Sequence, residues 1–141
     1  MPKTVFKITY SDAKSLMNAA VESANKHKVP GAIAIVDKGG NPILLESLEN
    51  TMSGASKIAI GKAATAVAFM RPSIDIEKVI LEGRTPMLVL DGAISDAYVP
   101  LKGGYPIWYQ DELIGGIAVA GTMDAEMDEI VVLEALENKE W

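Results

Sequence analysis

The chain contains no cysteine, which excludes disulfides, thiolate nucleophiles and cysteine-held metals together. It has one histidine, His27, so a single chain cannot assemble a Ser-His-Asp triad or a histidine-rich metal site. No apolar run approaches the roughly 20 residues of a membrane span, so no membrane partner is expected. Met1 to Tyr10 alternates polar and apolar residues without the apolar core or cleavage site of a secretory signal, and cytoplasmic residence is expected. Basic side chains are also few: 13 against 19 acidic ones give a formal charge of −6, which repels nucleic acid and anionic headgroups. Small molecules are left as the expected partners.

What is present suffices for one hydrophobic core: 49% of the 141 residues are hydrophobic, and a single domain over residues 1–141 is expected. Ser11 can cap a helix in which Ala13, Leu16, Met17, Ala20, Val21 and Ala24 recur at helical spacing as far as Lys28. Pro30 and Gly31 break it, and the apolar run 32–36 reads as a central strand. Turn formers over 37–42 and a renewed apolar pattern over 43–46 make a hairpin. A second helix, rich in alanine and able to lie close to a sheet, runs from about Ser56 to Met70 and stops before Pro72. Ser73 can cap a third helix ending at Gly83. From Arg84 to Gly104 prolines and glycines interrupt every pattern, with 87–90 as a brief strand. Residues 105–109 and 113–120 read as a second hairpin, and a last helix spans Asp124 to Asn138 with acids in its first turn, as the helix dipole favours. This order argues for an α+β fold in which helices pack on an antiparallel sheet.

Several residues are able to carry chemistry. Lys62 lies among alanine and isoleucine; it is either a surface lysine with its charge in water or a pocket-facing cation. Gly103 and Gly104, ahead of Tyr105 and Pro106, allow backbone to approach closely and read as a pocket rim or as a plain loop-to-strand transition. Gly121 and Thr122 end the adjacent strand, where free N–H groups at the start of the last helix would suit an anionic or carbonyl-bearing ligand. Asp124, Glu126, Asp128 and Glu129 read first as capping acids; their spacing matches no calcium loop, and no metal site is expected. Asp128 could act as a general acid or base if apolar neighbours raise its pKa. His27 reads as a solvent-facing helix-end residue rather than as a ligand to a bound group. Met87, Tyr98, Trp108 and Tyr109 read as core or subunit-contact residues, or as an apolar wall against a planar ligand.

Taken in order, Val36-Asp37-Lys38-Gly39-Gly40, Lys62-Ala63-Ala64-Thr65-Ala66, Gly103-Gly104-Tyr105-Pro106-Ile107, Gly115 to Gly121 and Asp128-Glu129 resemble the successive motifs of the GlcG/HbpS heme-binding family, also called the haem-degrading domain family. The resemblance covers nearly the whole chain. It implies a profilin-like three-layer α/β/α structure with a five-stranded antiparallel sheet, assembly into homo-oligomers, and a ligand role with heme as the precedent cofactor. It also places Lys62 on the family's lysine. The chain departs from the family's pattern at polar positions: Ser47-Leu48-Glu49 stands where arginine, methionine and aspartate are common, Ala120 where a serine is, and Met127 where a glutamine is.

The expected function is therefore small-molecule binding, as carrier, sensor or accessory protein, in a pocket near Lys62, Gly103, Gly104, Tyr105, Pro106, Gly121, Thr122 and Asp128. The alternative is a cofactor-independent isomerase, lyase or cyclase in which Lys62 works with Glu49 or Asp128 in proton transfer on a carbonyl or carboxylate substrate. A purely structural assembly subunit is the third reading.

Overall fold

The computed structural model describes residues 1–94 and 97–141. The first apolar helical pattern is realised as α1 (Tyr10–His27). Its cap is Thr9 rather than Ser11: the Thr9 hydroxyl accepts from the Asp12 N–H and the Asp12 carboxylate from the Thr9 N–H, each at 3.0 Å. Ser11 could not build this reciprocal box, because the residue three positions on is Lys14, which has no acceptor.

Two hairpins follow, β1 (Ala32–Asp37) with β2 (Pro42–Ser47), and β3 (Gly104–Tyr109) with β4 (Glu112–Ala120). The second turns through Gln110 and Asp111 at φ 49° and 64°, the paired left-handed conformation of a tight two-residue hairpin loop. Between the hairpins lie α2 (Ala55–Phe69), α3 (Ser73–Leu81) and the short α4 (Asp91–Ile94), and α5 (Ala125–Asn138) ends the chain.

The described strands make one antiparallel sheet of four, in the order β2-β1-β4-β3, where five were expected. The segment 87–90, expected as a strand, folds instead into a 3-10 turn over Thr85–Val89 that buries none of its residues. Pro86 brings no N–H to a ladder there, so local turn bonding wins.

Strand alternation divides the core into two unlike layers. Ile33, Ile35, Ile117, Val119 and Ile107 face α1 and α5, where they meet Leu16, Met17, Val131 and Val132. Ala32, Ala34, Val36, Ala118 and Ala120 face α2 across Ala55, Ala59, Ala63 and Val67. The sheet thus lies between helices on both faces. Small residues on both sides of the second layer bring α2 close, as expected: a Cβ on Gly116 would fall 2.7 Å from the Ala63 carbonyl oxygen. Residues 61–67 are consequently buried without exception, on all sides of the helix.

Candidate functional site

Lys62 is 4% exposed, so it is not a surface lysine. Its ammonium donates to Asp128 Oδ2 and to the Val119 carbonyl, each at 3.1 Å. Asp128, 6% exposed and in the first turn of α5, accepts on Oδ1 from the Thr122 hydroxyl and from the Thr122 N–H at 3.3 Å. A buried cation and a buried anion are thereby paired and hydrogen-bonded together, the condition under which burial of charge is tolerated. The bond spans 66 residues of sequence and ties α2 to α5 beside the C-terminal end of β4.

Gly103 completes this cluster. It sits at φ +126°, and a Cβ there would lie 2.7 Å from the Val119 oxygen and 2.9 Å from Lys62 Nζ. Its carbonyl accepts from the Val119 N–H at 3.1 Å. Gly104 is held equally close, since a Cβ would fall 2.4 Å from the Lys62 carbonyl oxygen. The glycines let backbone enter where a side chain would clash. Gly121, at φ +84°, packs against Ala55 in the same way, 2.6 Å from the Cβ it lacks.

The three segments singled out in the sequence, the middle of α2, the double glycine and the start of α5, therefore do meet. The space they enclose is taken up by the cluster's own atoms rather than by an opening. The N–H groups expected to be free are used as well. Gly104 donates to the Ser73 hydroxyl at 2.9 Å, and Thr122 donates to Asp128. Ser73 was expected to cap α3. Instead Pro72 takes the cap position, Ser73 is the first helical residue, and its hydroxyl donates to the Leu101 carbonyl at 2.5 Å while accepting from Gly104.

Tyr105 points to the opposite face of the sheet, into the α1/α5 layer, and its hydroxyl donates to Glu129. Burial pushes the Tyr105 hydroxyl well above its ordinary pKa, and the bond to the Glu129 carboxylate adds to this. Burial likewise pushes the Glu129 carboxyl up, against the lowering effects of the Tyr105 hydroxyl and the Lys102 charge. Lys102 pairs with Glu126 at the rim, which raises the Lys102 pKa. Pro106 is buried on edge strand β3, opposite Gly116. Glu49 stands exposed in the loop after β2, and no hydrogen bond or ion pair joins it to Lys62.

Asp124 is the cap of α5, as its capping reading expected, and accepts from the Glu126 N–H at 3.0 Å. His27, the last residue of α1, is half-buried rather than solvent-facing, with Nε2 2.8 Å from Glu134 Oε1. The Tyr98 hydroxyl donates to the Met87 carbonyl at 2.7 Å, whereas Tyr109 packs edge-on against Phe6 with ring centroids 4.8 Å apart. Trp108 is 41% exposed, and these residues do not form a common wall. Among the described residues no three His, Cys, Asp or Glu side chains converge as a metal site. No helix of the described residues is long and apolar enough to cross a membrane.

Sequence reasoning missed the roles of two hydroxyls. Thr65, fully buried, donates to the Gly61 carbonyl at 2.7 Å and accepts from the Val99 N–H at 2.8 Å, pinning the segment after α4 to α2. Ser73 does the same for the double glycine. A hydroxyl inside an otherwise apolar helical stretch was the available signal.

A family profile described as "Haem degrading protein HbpS-like" matches residues 8–137. The chain is 29% identical over 126 residues to corrinoid adenosyltransferase PduO of Salmonella typhimurium, covering 89% of this chain and 37% of that protein. It thus spans little more than a third of the length of the PduO relatives it matches. Protein GlcG of Escherichia coli K12 is 27% identical over 118 residues, 84% of each chain. Among solved structures, a PduOC:heme complex superposes with a TM-score of 0.84 at 28% identity, covering 94% of both chains. HbpS shares the fold at 24% identity, with a TM-score of 0.84 over 96% of this chain and 92% of that one.

Proposed function

The chain belongs to the HbpS-like haem-degrading protein family, and from that premise we propose that it binds a small organic ligand of the heme class, as a carrier, sensor or accessory protein. One observation carries this reading: a relative whose structure is a heme complex is 28% identical and superposes over 94% of both chains. The reading takes the chain to work as a homo-oligomer. Exposed apolar side chains such as Leu81 and Val89, 78% and 72% accessible in the single chain, support that.

The Lys62 cluster does not fit a tetrapyrrole. Its cation is already engaged by Asp128, its walls leave no room for a side chain at Gly103, and Asp128 and Glu129 would oppose the ligand's carboxylates. Lys62 is read instead as a residue that holds the fold. His27 engages Glu134 through Nε2 and joins α1 to α5. When bound, heme would supply redox and oxygen chemistry at its iron; what this chain supplies is a seat and a counter-charge.

Titration of hemin into the pure protein tests the reading. A saturable Soret shift at one equivalent per chain, or per fixed fraction of an oligomer, is expected. A shift that grows without saturation would overturn it.

A second reading, an acid/base enzyme using Lys62 with Asp128, is favoured by one detail. The ammonium has three donors and two acceptors, and Gly103 leaves out a Cβ beside it, which is where a small carbonyl oxygen would have to enter. Turnover of a carbonyl substrate probe that Asp128→Asn lowers about a hundredfold with the fold retained is expected in that case, and the heme-class reading expects no turnover.

A further inference from the structure

Three depressions on the described surface differ in chemistry. One of about 960 Å³ runs along α1 and is walled by Ser11, Lys14, Asn18, Glu22 and Glu134. It is wide but polar. A second, of about 250 Å³, lies between Phe6, Tyr109 and Trp141, below the usual size of a ligand pocket. The third, of about 520 Å³, lies between the C-terminal half of α2 and the β1–β2 turn. Ile60, Ala64, Val67 and Met70 give it apolar walls, Leu113 adds to them, and the turn 38–42 contributes its other side. It alone of the three joins a ligand-sized volume to apolar walls with a few polar groups.

The turn uses its own carboxylate internally and leaves its cation unpaired among the described residues. The Asp37 carboxylate is consumed inside the turn, accepting from the Gly39 and Asn41 N–H groups at 2.9 and 3.0 Å and from the Asn41 amide. Lys38 is exposed and takes part in no ion pair among the described residues. Gly40, at φ +82°, lets the turn approach α2, where a Cβ would lie 3.4 Å from that of Ala64. The shape that results is an apolar slot with an ammonium at its lip that is unpaired among the described residues. It complements a flat apolar body carrying a carboxylate at its edge.

We propose that this slot, and not the Lys62 cluster, seats the ligand, with Lys38 receiving a carboxylate of a planar tetrapyrrole. The proposal rests on the heme-class reading and adds the location of the seat and the residue that reads the ligand's charge. The flat face lies along Ala64, Val67 and Ala68, while the acid group stays at the solvent edge, where little desolvation of either charge is required.

The test uses metal-free protoporphyrin IX, so that iron ligation plays no part, and its dimethyl ester, read by fluorescence titration. The variants are Ala68→Trp, at an exposed helix position, and Lys38→Glu, at an exposed turn position; circular dichroism and the thermal midpoint check that both remain folded. Ala68→Trp obstructs the slot and is expected to weaken protoporphyrin about tenfold or more. Lys38→Glu is expected to weaken the free acid about fivefold and the dimethyl ester hardly at all. Absence of saturable binding to the unaltered protein by both hemin and protoporphyrin would sink the heme-class reading itself. Binding to the unaltered protein that both variants retain in full would leave that reading standing and overturn the seat. So would an altered oligomeric state of Ala68→Trp with unchanged binding, which would assign the slot to a second copy of the chain.

Discussion

The two halves of α2 use the same alanine-rich composition to opposite ends. Around Lys62 the helix is covered by β4, the double glycine and α5, and the Lys62, Asp128 and Thr122 side chains are bonded to one another within the chain. Past Val67 the helix emerges beside the β1–β2 turn, and exposure rises to 57% at Met70. The chemically conspicuous half is closed and the plain half is open. A charged residue in a family motif marks a costly burial, which the fold must satisfy, before it marks a binding site.

If that contrast holds, substitutions in the closed half act on stability and those in the open half on ligand. Lys62→Met should have the largest effect, about 3–5 kcal/mol by urea denaturation, because it strands the Asp128 carboxylate without its cation. A well-tolerated Lys62→Met would break the contrast at once. Gly103→Ala comes next: at φ +126°, with 2.7 Å to the Val119 oxygen, it should cost about 2 kcal/mol. Thr122→Val removes the hydroxyl donor to Asp128 and should cost about 1.5 kcal/mol. Ala68→Trp and Lys38→Glu should each stay within about 0.5 kcal/mol of the unaltered protein.

A pH experiment sharpens the comparison by identifying an acid-sensitive contact that belongs to neither half. The Ser23 hydroxyl and His27 hold Glu134 down from 4.5 to about 2. A carboxyl depressed in the folded state contributes stability above its unfolded pKa and loses it as pH falls. The α1–α5 contact should therefore weaken between about pH 4.5 and 2, and the gap in thermal midpoint between the unaltered protein and Glu134→Gln should narrow over that window. A gap constant from pH 6 to 2 would contradict this assignment.

Much of the fold could be read from the chain. The apolar runs over 32–36 and 113–120 set both inner strands, and the alanine run announced a helix pressed on the sheet. Errors arose where side chains competed for local backbone. Thr9 displaced Ser11 as cap because Asp12 could answer it, and Ser73 spent its hydroxyl on Gly104 rather than on its own helix. Residues 87–90 have strand-like apolar character but no strand beside them, and became a 3-10 turn. At the site, the order of motifs foretold that Lys62, Gly103, Thr122 and Asp128 belong together. It could not foretell whether they line a space or fill one, since that depends on fractions of an ångström between backbones distant in sequence, such as those of Lys62 and Gly104. The slot at Lys38 escaped notice because its signal, a lysine in a glycine turn, also describes an ordinary hairpin.

Amide chemical-shift mapping with metal-free protoporphyrin IX separates the two halves of α2 most directly. Perturbations are expected at Lys38–Asn41 and along Ala64–Met70. Perturbations centred on Lys102–Tyr105 and Thr122–Asp128, with the turn silent, would place the ligand at the closed cluster and contradict the division of labour drawn along this helix.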